Sequence, residues 1–198
     1  MAFGIGGLLL AADDVVQKTP FPAGGVVRIV ALSGDLAVEG WDQPEVEVSA
    51  PKSSAVLAAH GNEVAITMAR RGRSPYDYYR IRMPRSARMV LEDKDGEIHV
   101  IGVDADIQAK VRRGEIVLIL PEAGRYAIDA RSKLGGIVSD FPGKSRRNRL
   151  IFGHGFAAGA SSAAHKLYLR AGFGDILVLK DEKPAAPRPR NAAATPAR

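Results

Sequence analysis

Cysteine is absent from this 198-residue chain. That removes a disulfide framework, a thiolate nucleophile and Cys-based zinc sites together. An HExxH metal motif is missing, and so is a GxSxG nucleophile elbow. Gly4-Ile5-Gly6-Gly7 imitates part of a dinucleotide fingerprint, but no strand precedes it and no βαβ unit follows. The four histidines, His60, His99, His154 and His165, show no helical metal-ligand spacing. No catalytic, cofactor-binding or metal-ligating residue is therefore assigned, and no cofactor is expected. The apolar run MAFGIGGLLLAA ends at Asp13 and is too short to span a bilayer as a helix. No transmembrane span is expected.

What is present points to strands. The 21 glycines and 12 prolines favour frequent turns over long helices. A content of 46% hydrophobic residues is ordinary for a globular protein. Val26 to Ala31 is rich in β-branched residues, and Leu36-Ala37-Val38-Glu39 follows a Ser33-Gly34-Asp35 turn. Val46 and Val48 alternate with Glu45 and Glu47. Val64, Ile66 and Met68 alternate with polar or small residues, and Tyr79, Ile81 and Met83 alternate with Arg80 and Arg82. Period two marks a half-buried strand. The last two runs, joined by the charged segment 70–77, are expected to form a long hairpin.

A unit of Gly, a small or acidic residue, then Ile or Leu recurs at Gly34, Gly96, Gly114, Gly135 and Gly174. The steps from 96 to 114 and from 114 to 135 are 18 and 21 residues, and the step from 135 to 174 is 39, about twice as long. A motif at this interval, each copy on a short strand, is the pattern of units that stack to bury a shared apolar face. The expected fold is all-β: a single-stranded parallel β-helix or solenoid-like stack with an antiparallel, hairpin-rich N-terminal part. A β-sandwich is the alternative. Residues 142–165, with FGHGF followed by small residues, break the rhythm and are expected to be a degenerate unit or an inserted loop.

The stretches GDLAVEGWDQPEVEVSA (34–50) and RIRMPRSARMVLEDKDGEIHVIGVDADIQAKVRRGEIVL (80–118) resemble the bacterial putative-adhesin family, also called the toast-rack type of domain of unknown function. Its members carry a Gly-Asp-hydrophobic-x-Val unit, then Gly-Trp-Asp, alternating Val and Glu, and a Val-Pro-x-x-Ala segment, here Met83-Pro84-Arg85-Ser86-Ala87. The likeness runs from about Phe21 to Lys180. This chain departs from the pattern with Gly-Glu at 96 and 114, with Gly-Gly at 135, and across 144–165. The resemblance implies an all-β solenoid-like fold, export to the envelope and no enzymatic activity.

Three segments follow from this reading. Residues 1–20 form an apolar N-terminal segment resembling the core of a truncated signal peptide, although no basic residue precedes the run. Residues 21–180 form the adhesin-like domain, and the Pro/Ala/Arg-rich tail 181–198 is expected to be disordered. The formal net charge is +6, and its excess is local. Lys144, Arg146, Arg147 and Arg149 cluster without an acid. A second group, Arg70, Arg71, Arg73, Tyr76, Tyr78, Tyr79 and Arg80, combines rings with guanidinium groups. Both are candidate surfaces for an anionic ligand.

The leading expectation is a non-catalytic, exported module of a Gram-negative bacterium, periplasmic or at the cell surface, that binds an envelope glycan, lipid or protein. A cytoplasmic location is the alternative. The competing functions are a polysaccharide-active enzyme on a β-helix and a binder of nucleic acid or another anionic polymer through the basic clusters. Of these polymers, nucleic acid is not expected. The sequence leaves the oligomeric state open.

Overall fold

The computed structural model describes residues 14–51, 54–68, 77–121, 126–148, 153–160 and 162–181, with backbone alone for Arg147 and Asn148. The described residues form strands and turns, arranged as one eight-stranded and one nine-stranded mixed sheet around a common core.

One step recurs: a strand in the nine-stranded sheet turns a corner and continues as a strand in the eight-stranded sheet. β2 (Val26–Ala31) leads into β3 (Asp35–Trp41), and β8 (Arg88–Asp95) into β9 (Ile98–Ile101). β10 (Ile107–Arg113) leads into β11 (Ile116–Leu120), β12 (Tyr126–Leu134) into β13 (Ile137–Ser139), and β16 (His165–Phe173) into β17 (Ile176–Lys180). Each of these corners carries one of the recurring glycines. β6 (Glu63–Met68) and β7 (Tyr78–Pro84) make the same crossing through the longer segment between them. They do not pair with each other, so the hairpin expected there is absent. Their apolar faces instead belong to opposite sheets and meet the same core.

The steps pair in parallel, but their spatial order is not chain order throughout. It runs β6/β7, β2/β3, β8/β9, β10/β11, β16/β17, β12/β13. The last step in sequence therefore lies between the two before it. The long interval from Gly135 to Gly174 holds a hairpin, β14 (Gly143–Asn148) and β15 (Gly153–Ala158), which pairs antiparallel along β12. Gly153 to Phe156 thus belong to a strand. At the opposite end β5 (Ala55–His60) pairs antiparallel with β6, while β4 (Glu45–Pro51) pairs with β7 and β1 (Asp14–Pro20) with β4.

Parallel register puts equivalent side chains above one another. Leu36, Ile98, Ile116 and Ile176 are successive cross-strand neighbours and all fully buried. Val64, Val27, Met89, Ile107, Leu167 and Ile128 form the matching ladder in the other sheet. The corners are also hydrogen-bonded in series. The amide of Gly96 donates to Arg113 O at 3.0 Å, that of Gly114 to Phe173 O at 2.8 Å, and that of Gly174 to Leu134 O at 2.7 Å. Gly114 has φ +131°, and a Cβ there would overlap the carbonyl of Gly96. Backbone pairing this close needs glycine for its missing side chain as well as for its dihedral freedom.

One buried acid interrupts the apolar core. Asp93 lies on the inward face of β8 beside Ala31 and Val111, and it is 5% exposed. Burial pushes its carboxyl up to about 6, against backbone N–H groups of Asp95 and Lys94 that favour the ionised form. Between about pH 4 and 6 the folded protein keeps a proton that the unfolded chain has released, so this group's contribution to stability falls as pH rises through that window. Asp93→Asn is expected to stabilise the protein by about 2 kcal/mol above pH 7 and to leave it unchanged near pH 4. Urea unfolding at both pH values checks this. An equal effect at both would show that charge burial is not its source.

Candidate functional site

The described members of the two predicted surfaces lie at opposite ends of the stack, on different sheets. Arg70, Arg71, Arg73, Tyr76 and Arg149 lie outside the described residues. Tyr78 is 56% exposed at the start of β7, but Tyr79 is fully buried. Strand alternation turns Tyr79 into the core beside Leu36, so it does not belong to a ligand surface. Arg80 faces outward and forms an ion pair with Glu39 at 2.9 Å.

The surroundings of Arg80 are electrically balanced. Lys18 pairs with Glu45 and Glu47, Arg82 with Glu39 and Glu47, and Arg85 with Asp42. Lys18 and Arg82 also lie 5.7 and 5.6 Å from the ring centre of Trp41. Further along the same outer face the character changes. Ile101, Ile119, Leu177, Leu179 and Val138 present apolar side chains, with Ile101 46% and Val138 57% exposed.

Lys144 and Arg146 are exposed on β14, the edge strand of the nine-stranded sheet. Register builds a basic region inward from them. Arg146 stands opposite Gly155, which stands opposite Arg131, followed by Arg170 and Lys110. The next row is Lys144, Ala157, Asp129, Tyr168 and Gln108. Lys133 and Lys166 are exposed on β12 and β16. The motifs at Gly135 and Gly174 did not point to Lys133, Lys166, Tyr168 or Arg170. The alternation in HKLYLR could have placed the last three on one outward face, because Leu167 and Leu169 between them are buried.

Asp129 is the acid in the middle of this region. Burial works against its charge, but the hydrogen bond and charge of Arg170, helped by Arg131, outweigh that and hold its carboxyl below the ordinary range. Arg170 reaches Asp129 Oδ2 and the Asp129 carbonyl, each at 2.8 Å, and its guanidinium lies 3.5 Å from the Tyr168 ring centre. Lys133, Lys144, Arg146 and Lys166 have no carboxylate partner among the described residues. The balance here is therefore positive, with Asp129 committed to Arg170 and Arg131. An open cavity of about 410 Å³ lies in the same region, lined by Ala127, Asp129, Ala157, Gly159, Lys166 and Tyr168 among others.

Other polar side chains near this region act as structural crosslinks. Asp104 accepts a hydrogen bond from the Tyr126 hydroxyl at 3.1 Å and lies 3.5 Å from His165 Nε2. Asp106 accepts from the Lys166 amide at 2.8 Å. His154 Nδ1 donates to Gly135 O at 2.7 Å. His99 is partly exposed beside Glu97. Among the described residues, no group of three His, Asp or Glu side chains could hold a metal ion, and no helix is long and apolar enough to cross a membrane. A carboxylate locked by two guanidinium groups is a poor proton donor, and glycoside hydrolysis needs a facing pair. The region is equipped to attract anions.

No family model matches the chain, and no curated protein matches it. Among solved structures it is similar to a putative cell adhesion protein from Clostridium sporogenes ATCC 15579, with a TM-score of 0.52 and 11% identity over 85% of this chain and 100% of that one. A putative adhesin from Bacteroides fragilis NCTC 9343 covers 85% of this chain with 98% of its own, at TM-score 0.30 and 10% identity. A putative adhesin from Parabacteroides merdae ATCC 43184 covers 65% with 68% of its own, at TM-score 0.32 and 9% identity. The first of these likenesses establishes a shared fold, and the fold of this chain is accordingly the all-β architecture of that Clostridium sporogenes protein.

Proposed function

We propose that this chain is a non-catalytic, adhesin-like binding or structural module, exported to the bacterial cell envelope. The observation that carries the reading is the way the stack displays its side chains. Paired rungs and glycine corners hold broad outward faces, one balanced in charge, one apolar and one basic. Such faces suit contact with an extended partner. The fold shared with a putative cell adhesion protein supports the same reading without establishing it. The solenoid-like domain would span residues 21–180, with β1 (Asp14–Pro20) added to its sheet along β4. A polysaccharide-cleaving role is less well supported, because the lone carboxylate in the cavity is tied to Arg170 and Arg131.

Fractionation of cells carrying the full-length chain tests the location. The protein is expected in the periplasmic or surface fraction, shortened at its N-terminus. A purely cytosolic, full-length pool would overturn the export half of the proposal.

A further inference from the structure

We propose that the basic end of the nine-stranded sheet binds a linear acidic polysaccharide, with Lys144 and Arg146 on β14 and, beyond β15, Lys133 on β12 and Lys166 on β16. This rests on the reading of the chain as a binding module and names its ligand class and its face.

The charge distribution is the first argument. Many cations on the outer faces are matched to carboxylates: Arg28 to Glu63, Lys110 to Glu92, and Arg112 to Asp95. At this end Asp129 is already paired with Arg170 and Arg131, and Lys133, Lys144, Arg146 and Lys166 form no ion pair among the described residues. Unmatched like charges on a rigid sheet repel one another, and an anion relieves that repulsion. They sit on strands, so their spacing is set by the backbone and little side-chain positioning remains to be done on binding.

Shape is the second argument. β15 turns Gly155 and Ala157 outward between β14 and β12, so Arg146 faces Arg131 and Lys144 faces Asp129 across about 10 Å of low backbone. The cavity lined by Ala127, Ala157, Gly159 and Tyr168 continues this surface. It is open, which fits a chain lying across it better than an enclosed small molecule. Alanine methyls and the Tyr168 ring edge offer apolar contact to sugar rings, while the cations meet carboxylate, sulfate or phosphate substituents.

Two other polyanions fit less well. Single-stranded nucleic acid uses successive open rings for base stacking, whereas the aromatic side chain here, Tyr168, already has Arg170 against its ring. A membrane surface would gain from large apolar side chains spread among the cations; on this end of the sheet the exposed Leu134 and Phe173 are confined to the corner beside Lys133, and the broader apolar outward group lies on the other sheet, at Ile101 and Val138.

The test uses the full-length protein with dextran sulfate and polygalacturonate as probes. Neutral dextran, a thymidine oligonucleotide and anionic phospholipid vesicles serve for comparison, all at about 150 mM salt. Lys144→Glu/Arg146→Glu is compared with Arg88→Glu/Lys94→Glu. The second pair lies exposed on β8 of the same sheet and makes the same change in net charge. The first pair is expected to weaken binding to both acidic polysaccharides by about tenfold or more, and the second by less than about threefold. Equal losses from the two pairs would overturn the proposal, because net charge alone would then explain them. Oligonucleotide or vesicle binding tighter than polysaccharide binding, and lost in the first pair, would overturn it in favour of those partners. A cytosolic protein that shows the expected pattern would sink the export reading alone, and an exported protein that binds neither polysaccharide would sink this one alone.

Discussion

Gly114→Ala is expected to destabilise the protein by about 4 kcal/mol or more, enough to unfold a domain of ordinary stability. Gly114 lies in the middle of the ladder of corners, between Gly96 and Gly174. Two penalties coincide there. Its φ of +131° is one that L side chains rarely adopt, and an added Cβ would overlap the oxygen and crowd the carbon of the Gly96 carbonyl. The obstacle is backbone on a neighbouring strand, so a rotamer change cannot relieve it. Separating the two rungs would break the bonds from Gly96 N to Arg113 O and from Ile98 N to Glu115 O. Gly61→Ala isolates the first penalty. Gly61 has φ +57° but open space where its Cβ would go, and the expected cost is about 1–2 kcal/mol. Gly136→Ala has neither problem, since the nearest atom is a side-chain oxygen at 3.6 Å, and it should be near neutral or slightly stabilising. Thermal and urea unfolding of the three variants rank them. If Gly114→Ala were no worse than Gly61→Ala, the rungs would not be packed as closely at the corners as this structure has them.

Leu118→Ala is expected to cost about 3–4 kcal/mol, whereas Ile119→Ala should cost about 1 kcal/mol. The residues are adjacent on β11, a strand that is apolar on both faces. Leu118 is fully buried, with Val100 and Val178 as its cross-strand neighbours. Both neighbours are held by rungs of their own, so the vacated volume cannot collapse easily. Ile119 faces outward beside Ile101 and Leu179 and is only partly buried. Urea unfolding gives both values. Equal costs would mean that the outer face of β11 is as fully covered as its inner face.

The sequence carries most of the local structure because inward and outward positions alternate within each strand, and that alternation needs no knowledge of partners. Val46 and Val48, Val64, Ile66 and Met68, and Ile81 and Met83 face inward as their spacing predicts. The same rule turns Tyr79 inward, and only its company with charged neighbours made it look like a surface residue. The candidate site was legible in part. Lys144 and Arg146 stand out as a run of cations, but Lys133 and Lys166 are isolated in sequence and join them only through strand pairing.

Read alone, the sequence determined that this chain is all-β, which side is apolar in the strands whose alternation is plain, and where the recurring glycine turns fall, since each of these depends on a few consecutive residues. The tertiary structure alone decided the order of the rungs. β16/β17 lies between β10/β11 and β12/β13, although all three steps have similar apolar faces and similar glycine corners. Rungs that match so closely in pattern can pair in several orders. The choice depends on which edges are free and on what the intervening chain covers, here the β14–β15 hairpin along β12. That arrangement also gathers cations from β12, β14 and β16 onto one face, so the basic region is a product of the packing order.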